Sequence, residues 1–355
     1  MVNTVLNWSK AVSCAGADVK VLSISSKYSG HHKISGIDFE YVKTKRPRFQ
    51  GSLVDLFSRQ RETLRQLDSE VVHFAQNIDG VSSIPMLTLL KLRKNKMINS
   101  YHDNHLIEST RLLRNLLFDM ITVPSERMHQ AFTKKKIIPT KMRILPPCVD
   151  TEEFRPRDKA KVREELGLES DPFSVFTVGH FKRGRLLIPL IQAIHELAGE
   201  GKNIRLLIGW TGYGETEHIK EIFSIAQNDK AVKIVRPTNQ ISLYYNASDA
   251  YILSAGSDYV IETPLSLIEA LSSGTPTMAF DVNASSEIIE DGVNGYIIKD
   301  ENFAEMKSRL KYLMNNVHFL EEFSKNARTL ALNKYSFPKV GTQLFSLYRE
   351  LVDLK

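Results

Sequence analysis

Two glutamates seven residues apart, Glu262 and Glu269, follow a short apolar run, Tyr251 to Leu253, that reads as the end of a strand. The first stands in the loop SAGSDYVIET, and the second on a helix expected from about Pro264 to Ser273. Ligands of parallel α/β sheets collect outside the carboxyl ends of the strands, so both carboxylates are placed to hold one. A second constellation lies upstream, where an expected strand, Phe173 to Val178, runs into the loop Gly179-His180-Phe181-Lys182-Arg183-Gly184-Arg185 and then a helix over 186–199. Backbone N–H groups, the helix dipole and fixed cations at one point are what a diphosphate requires. The third is His102, which ends a strand and shares its loop with Asp103, Asn104 and His105. His73, at the end of the run VVHFA, reads instead as a satisfied polar group of the core.

The elements that must position these groups alternate. In the first half, strands are expected at 19–24, 39–42, 71–74, 97–100 and 120–123, separated by helical stretches at 52–67, 82–93 and 108–118. The second half continues with strands at 204–209 and 231–235, helices at 215–227 and 239–246, and the pair of glutamates. Thr277 to Phe280 and Tyr296 to Ile298 complete the strands, residues 302–333 are helical, and Phe337 to Leu354 forms a last amphipathic helix. This βα alternation predicts parallel sheets. A doubly wound domain is expected to begin on a strand and a Gly-rich turn, whereas this chain begins on a helix over 3–15. Between the halves, RILPPCVDTEEF (143–154) is a short strand stopped by two prolines, which places a linker at about 146–158.

Length and composition narrow the class. With 355 residues and 42% hydrophobic content the chain is long enough for two globular domains. No apolar run approaches the roughly 18 residues that span a bilayer, and no secretory signal pattern stands at the start, so a soluble protein is expected. Cys14 and Cys148 are too far apart in sequence for a zinc pattern and too few for a disulfide framework, which fits a reducing, cytoplasmic setting. Residues 1–160 hold 26 Lys/Arg against 16 Asp/Glu, and residues 161–355 hold 21 against 25. The basic half suits anionic headgroups or a phosphorylated acceptor, or is simply a solvated face. Nucleic acid is disfavoured, since the basic residues are scattered and no recognition signature occurs.

With these residues in view, the chain resembles the retaining glycosyltransferases of family 4. LPPCVDTEEFRP (145–156) is similar to the family's linker, with Cys148 where glycine is usual. VGHFKRG (178–184) resembles the Gly-Arg-x-x-x-x-Lys-Gly phosphate loop, read as shortened by one residue and with His180 in place of its first arginine. PLSLIEALSSGTPTMAFDVNASSEIIEDGVNGYII (264–298) matches the family's most specific segment.

The resemblance implies the GT-B architecture: an α/β protein of two Rossmann-like domains facing across a cleft, here without the usual first strand. Residues 1–146 would form the acceptor-side domain, with the helix of about 337–355 packing back on it, and 150–335 the donor domain. It implies transfer of a sugar from a UDP- or GDP-sugar to a saccharide or lipid-linked acceptor with retained configuration. Gly179, Lys182 and Arg183 would hold the diphosphate, the N–H groups of Leu265 and Ser266 would be available to the donor's sugar or phosphate, and Glu269 would hold the ribose hydroxyls. A carboxylate suits that diol because it is acceptor-only when ionised. Glu262 would hold the donor sugar, although the family's glutamates stand eight apart and Ile261 occupies that position. His102 would sit near the transferred sugar. No cofactor is implied, the nucleotide sugar being a substrate, and no metal, because no Asp-x-Asp occurs. A weakly catalytic partner subunit, a sugar phosphorylase and a nucleotide-sugar epimerase remain the alternatives. Helix 108–118, which mixes Arg111 and Arg114 with leucines, suggests peripheral contact with an anionic inner membrane face.

Overall fold

The computed structural model describes residues 2–25, 28–43, 63–65, 67–75, 84–102, 117–134, 141–256 and 263–353. Glu262, the group Asp103-Asn104-His105, nearly all of helix 108–118 and most of helix 52–67 lie outside the described residues. The chain forms two compact units. One is Met1–Cys148 joined by Phe337–Lys355, and the other is Val149–Ser336.

In the first unit, helix α1 (Val2–Cys14) precedes strands β1 (Lys20–Ser25), β2 (Gly30–Ile34) and β3 (Ile37–Lys43). β1 runs parallel to β3, while β2 and β3 form an antiparallel hairpin through the two-residue turn Ser35-Gly36. Four parallel strands, β4 (Val71–Phe74), β5 (Lys96–Ser100), β6 (Met120–Val123) and β7 (Met142–Ile144), follow in that spatial order. The single sheet expected here is therefore two separate sheets among the described residues. Hairpin strand β2 escaped the sequence reading because Gly-His-His-Lys is polar and exposed, with none of the apolar alternation that marks a half-buried strand. Helices α2 (Ile84–Leu92) and α3 (Glu126–Lys134) cover the four-stranded sheet through Leu87, Leu90, Met128 and Phe132.

The second unit opens with α4 (Lys159–Glu165), capped by Asp158, whose carboxylate accepts from the Lys161 N–H. Its sheet contains β8 (Phe173–Phe181), β9 (Ile204–Gly214), β10 (Val232–Val235), β11 (Ala250–Leu253), β12 (Thr277–Phe280) and β13 (Gly295–Ile298). All run parallel in the order β10-β9-β8-β11-β12-β13. Both faces are buried, which is why these strands read as continuous apolar runs. Successive side chains still part by period two: Ile252, Met278 and Phe280 join one core, and Tyr251, Leu253 and Ala279 the other.

The first core packs under α5 (Leu187–Gly199), α6 (Thr216–Asn228) and α10 (Phe303–Asn315). The second lies under α4, α7 (Ile241–Ala247) and α8 (Leu265–Ser272), with α11 (Val317–Leu330) contributing to both. A single turn, α9 (Ser285–Ile288), links β12 toward β13. The expected helix 302–333 breaks at Asn316, where φ is −134°, and ends in a wider turn, Ala331–Tyr335.

The last helix, α12 (Phe337–Asp353), returns to the first unit. It lies on α1, with Val340 and Leu344 against Trp8, Ala11 and Val12. A Cβ at Gly341 would come within 2.1 Å of the Ala11 carbonyl oxygen, so the two backbones approach as closely as only glycine permits.

Candidate functional site

In the second unit the chain walks from β8 to β9 to β10, then returns to the other flank of β8 for β11, β12 and β13. That reversal makes the carboxyl ends of β8 and β11 the topological switch point, where crevices open in such sheets. Two hydrogen bonds tie the two ends together: the Gly256 N–H donates to the Gly184 carbonyl at 2.9 Å, and the Ser254 hydroxyl to the Arg185 carbonyl at 2.7 Å.

On the β8 side, the strand continues through Gly179, His180 and Phe181, beyond the expected end at Val178. His180 Nδ1 lies 2.5 Å from Thr211 Oγ1, and its ring meets Tyr213 edge-on at 5.6 Å. Burial, then the charges of Lys182 and Arg185, lower the imidazole's proton affinity. A tight turn, Arg183–Arg185, then delivers Leu186 in a left-handed conformation (φ 47°, ψ 36°) as the residue capping α5.

The cations of this loop divide sharply. Lys182 is exposed, and Arg183, 85% exposed, lies 3.8 Å from Glu215 in a loose surface pair. Arg185 is 3% exposed and turns inward, its Nη2 donating to the Val178 carbonyl at 2.9 Å and to Thr177 Oγ1 at 3.2 Å. The loop is also not shortened. Four residues separate His180 from Arg185, and Leu186 then occupies the place of the motif's second glycine with the backbone a glycine would adopt. Three basic side chains within four positions look equivalent in sequence. Counting forward from His180, rather than pairing Arg183 with Gly184, is the signal that singles out Arg185.

On the β11 side, Pro264 begins α8 with φ −66° and no side chain capping the helix start, leaving its first N–H groups, those of Leu265 and Ser266, without a side-chain cap. The hydroxyl of Thr263, 8% exposed, has no hydrogen-bond partner among the described residues. One turn apart on α8, Ser266 and Glu269 are each met from beneath by a buried phenol. Tyr251 donates to Ser266 Oγ at 2.8 Å, and Tyr245 to Glu269 Oε2 at 2.8 Å. Burial pushes the Glu269 carboxyl up to about 7, the Tyr245 hydrogen bond opposes that rise, and the Glu153 charge adds to it. Neither tyrosine was singled out from the sequence, in which Tyr245 falls in the helix expected at 239–246 and Tyr251 in the short strand before the glutamates.

In the first unit, His102 Nε2 lies 3.0 Å from the Ala75 carbonyl, and its ring packs against Trp8 at 5.1 Å. Burial lowers its pKa to about 4. His73 stacks on the same indole at 5.6 Å, with Nδ1 2.8 Å from the Tyr348 hydroxyl and Nε2 2.6 Å from Ser100 Oγ. Burial first, then the neighbouring His102, brings it down to about 3, so both rings are neutral at physiological pH. Among the described residues no group of three or more His, Cys, Asp or Glu could hold a metal ion, and no helix is long and apolar enough to cross a membrane.

Comparison with known proteins agrees with this architecture. Residues 1–153 match the model for Glycosyltransferase Family 4, and residues 158–330 the model for Glycosyl transferases group 1. The chain belongs to this glycosyltransferase family, with the GT-B fold of two Rossmann-like units. It is 27% identical over 198 residues to the alpha-D-kanosaminyltransferase of Streptomyces kanamyceticus, across 54% of this chain and 49% of that one. The chain spans about half the length of the curated relatives it matches. Among solved structures it superimposes on the sucrose-phosphate synthase of Thermosynechococcus elongatus with a TM-score of 0.81 and 17% identity, covering 99% of this chain and 93% of that one. HepE of Anabaena in complex with UDP-glucose gives 0.74 and 15%, covering 94% and 100%.

Proposed function

We propose that the protein transfers a glycosyl group from a UDP- or GDP-sugar to a saccharide or lipid-linked acceptor, with retention of configuration and without a metal ion. The observation that carries this reading is that the two segments leaving one switch point bring complementary groups, the inward-turned Arg185 after β8 and the carboxylate of Glu269 on α8 after β11. Their chemistries are those a nucleoside diphosphate needs: a fixed cation for the diphosphate and an acceptor for the ribose diol. Gly179 lets the Arg185 guanidinium lie against the backbone, and the N–H groups of Leu265 and Ser266 add the partial positive charge of a helix start. Lys182 and Arg183, being exposed, contribute long-range attraction at the rim. Glu262, assigned by the resemblance, takes the donor sugar, and His102, neutral and seated on Trp8, serves the transferred sugar as a hydrogen-bonding group.

Departure of the nucleoside diphosphate leaves an oxocarbenium-like sugar, and the charge that grows on the leaving group is the main thing to stabilise. Arg185 and the helix-start N–H groups supply that stabilisation as preset charges and dipoles. Family membership and the UDP-glucose bound by HepE support a nucleotide-sugar donor. A cytoplasmic setting with peripheral contact at an anionic inner membrane face belongs to the same reading, supported by the basic charge of the first half.

The test is direct. UDP and GDP are added separately at increasing concentration and apparent stability is followed by thermal unfolding. A ligand at 100 times its Kd adds about 2.7 kcal/mol to the folded state. One of the two is expected to stabilise the parent, and Glu269→Ala to abolish the response. A folded parent that responds to neither overturns the donor-site assignment.

A further inference from the structure

Ser266 and Glu269, partly buried and one turn apart on α8, are each held from below by a tyrosine that is itself out of reach of solvent. Tyr245 and Tyr251 are each 0% exposed. Tyr245 comes from α7 and meets Phe176 edge-on at 5.0 Å, Phe154 at 5.9 Å and Tyr251 at 5.3 Å. Its main chain is fixed as well, since Thr275 Oγ1 donates to the Tyr245 carbonyl at 3.0 Å. The phenol therefore has one aim, and its proton goes to Glu269 Oε2.

We infer that Tyr245 is a positioning residue for the nucleoside: its phenol fixes the Glu269 carboxylate and keeps it an acceptor, so that the ribose diol finds an ionised group with one oxygen already oriented. The inference rests on the donor-site reading above. A buried carboxyl left without a donor takes up a proton, and a protonated carboxyl would present a donor to two hydroxyls that are themselves donors. The phenol opposes this mismatch by lowering the pH at which the carboxyl ionises. Tyr251 acts in parallel one turn earlier, because an O–H donated into Ser266 Oγ leaves the serine proton to point elsewhere.

Among the described residues, charged and titratable groups on neighbouring elements act on this pair. Glu153, from the turn before α4, opposes ionisation of Glu269, while Arg185 favours loss of the Tyr245 proton and Tyr251 opposes it. The shift of Tyr245 is well upward, its burial dominating, so it stays a donor. Arg328 of α11 is engaged at the far end of α8, donating to the Ser272 carbonyl at 2.7 Å.

The test uses the full chain with UDP or GDP, whichever binds, and the matching 2′,3′-dideoxynucleoside diphosphate, titrated by calorimetry between pH 6 and pH 9. Parent affinity for the ribonucleotide is expected to rise with pH through about 7, as Glu269 ionises. Tyr245→Phe removes the hydrogen bond that lowers this value. Its binding midpoint is expected to move to higher pH, with affinity near neutrality down about tenfold, the scale of one hydrogen bond to a charged group. The dideoxy analogue is expected to bind parent and variant alike. Unchanged midpoint and affinity in Tyr245→Phe would overturn the inference, as would equal losses for both nucleotides at an unmoved midpoint, the mark of a packing role. If Glu269→Ala leaves ribonucleotide binding intact, the donor-site reading fails instead.

Discussion

The guanidinium of Arg185 lies where a side chain on Gly179 would begin: a Cβ there would come 2.7 Å from Nη1 and 2.9 Å from Cζ. This glycine near the carboxyl end of β8 is thus a seat for the cation rather than a hinge, since its backbone needs no left-handed conformation.

Gly179→Ala should therefore act through Arg185. The obstructed atoms belong to the end of a flexible side chain, which can withdraw, so global stability is expected to fall by only about 1 kcal/mol. Nucleotide affinity should fall much further, tenfold or more on the scale of a lost charged hydrogen bond, roughly 1.5–3 kcal/mol. Urea unfolding and calorimetric titration on one preparation separate the two. A large loss of stability with intact binding would contradict this relationship.

Among the loop's cations, the burden is expected to be unequal. Arg185→Met should lower kcat/KM by about 100-fold or more, in the range seen when one preset charge stabiliser is removed. Lys182→Ala and Arg183→Ala should each stay within about fivefold, because exposed pairs are worth about 1 kcal/mol or less. Their small effects should shrink as salt is raised, which steady-state rates at two ionic strengths would reveal.

Glu269 also makes stability depend on pH. Its folded-state pKa is raised from 4.5 to about 7, so the folded chain holds a proton that the unfolded chain has released. The resulting stabilisation is fully present below about 4.5 and is lost as pH rises to about 7, a change of up to about 3 kcal/mol. Glu269→Gln lacks this titration. Relative to the parent, it should gain stability between pH 5 and pH 8 in chemical unfolding, and a constant difference across that range would refute the assignment.

At the helix pair of the first unit, Gly341→Ala places a methyl group within 2.1 Å of a backbone oxygen that cannot rotate away. α1 and α12 must then part, exposing Trp8, Ala11 and Val12, with an expected cost of about 2–3 kcal/mol by overpacking and lost burial. Hydrogen exchange should show the loss concentrated in α1 and α12.

Much of the second unit was legible in the sequence because its strands are buried on both faces. VFTV, LLI and YIL read as strands without further help, and the glutamate-bearing helix announced itself through Pro264 and the Gly274 break. What stayed hidden depended on orientation. Lys182, Arg183 and Arg185 carry the same charge, and only the inward turn at Arg185 distinguishes them. Tyr245 and Tyr251 stand in an expected helix and strand with nothing to mark them, and their hydroxyls reach past the core to Glu269 and Ser266. Strand β2 was invisible because its pairing with β3 is made by the backbone and a two-residue turn, not by apolar side chains.

The placement of α12 sets an order on synthesis. Residues 149–336 form the second unit as one uninterrupted segment, whereas the first unit needs residues from both ends of the chain. On the ribosome the second unit has all of its strands before the first unit has residues 337–353. Until Phe337–Asp353 emerges, Trp8 and Val12 lack the α12 face they lie against, which leaves α1 waiting for its partner through the synthesis of the whole second unit and in need of protection while the chain grows.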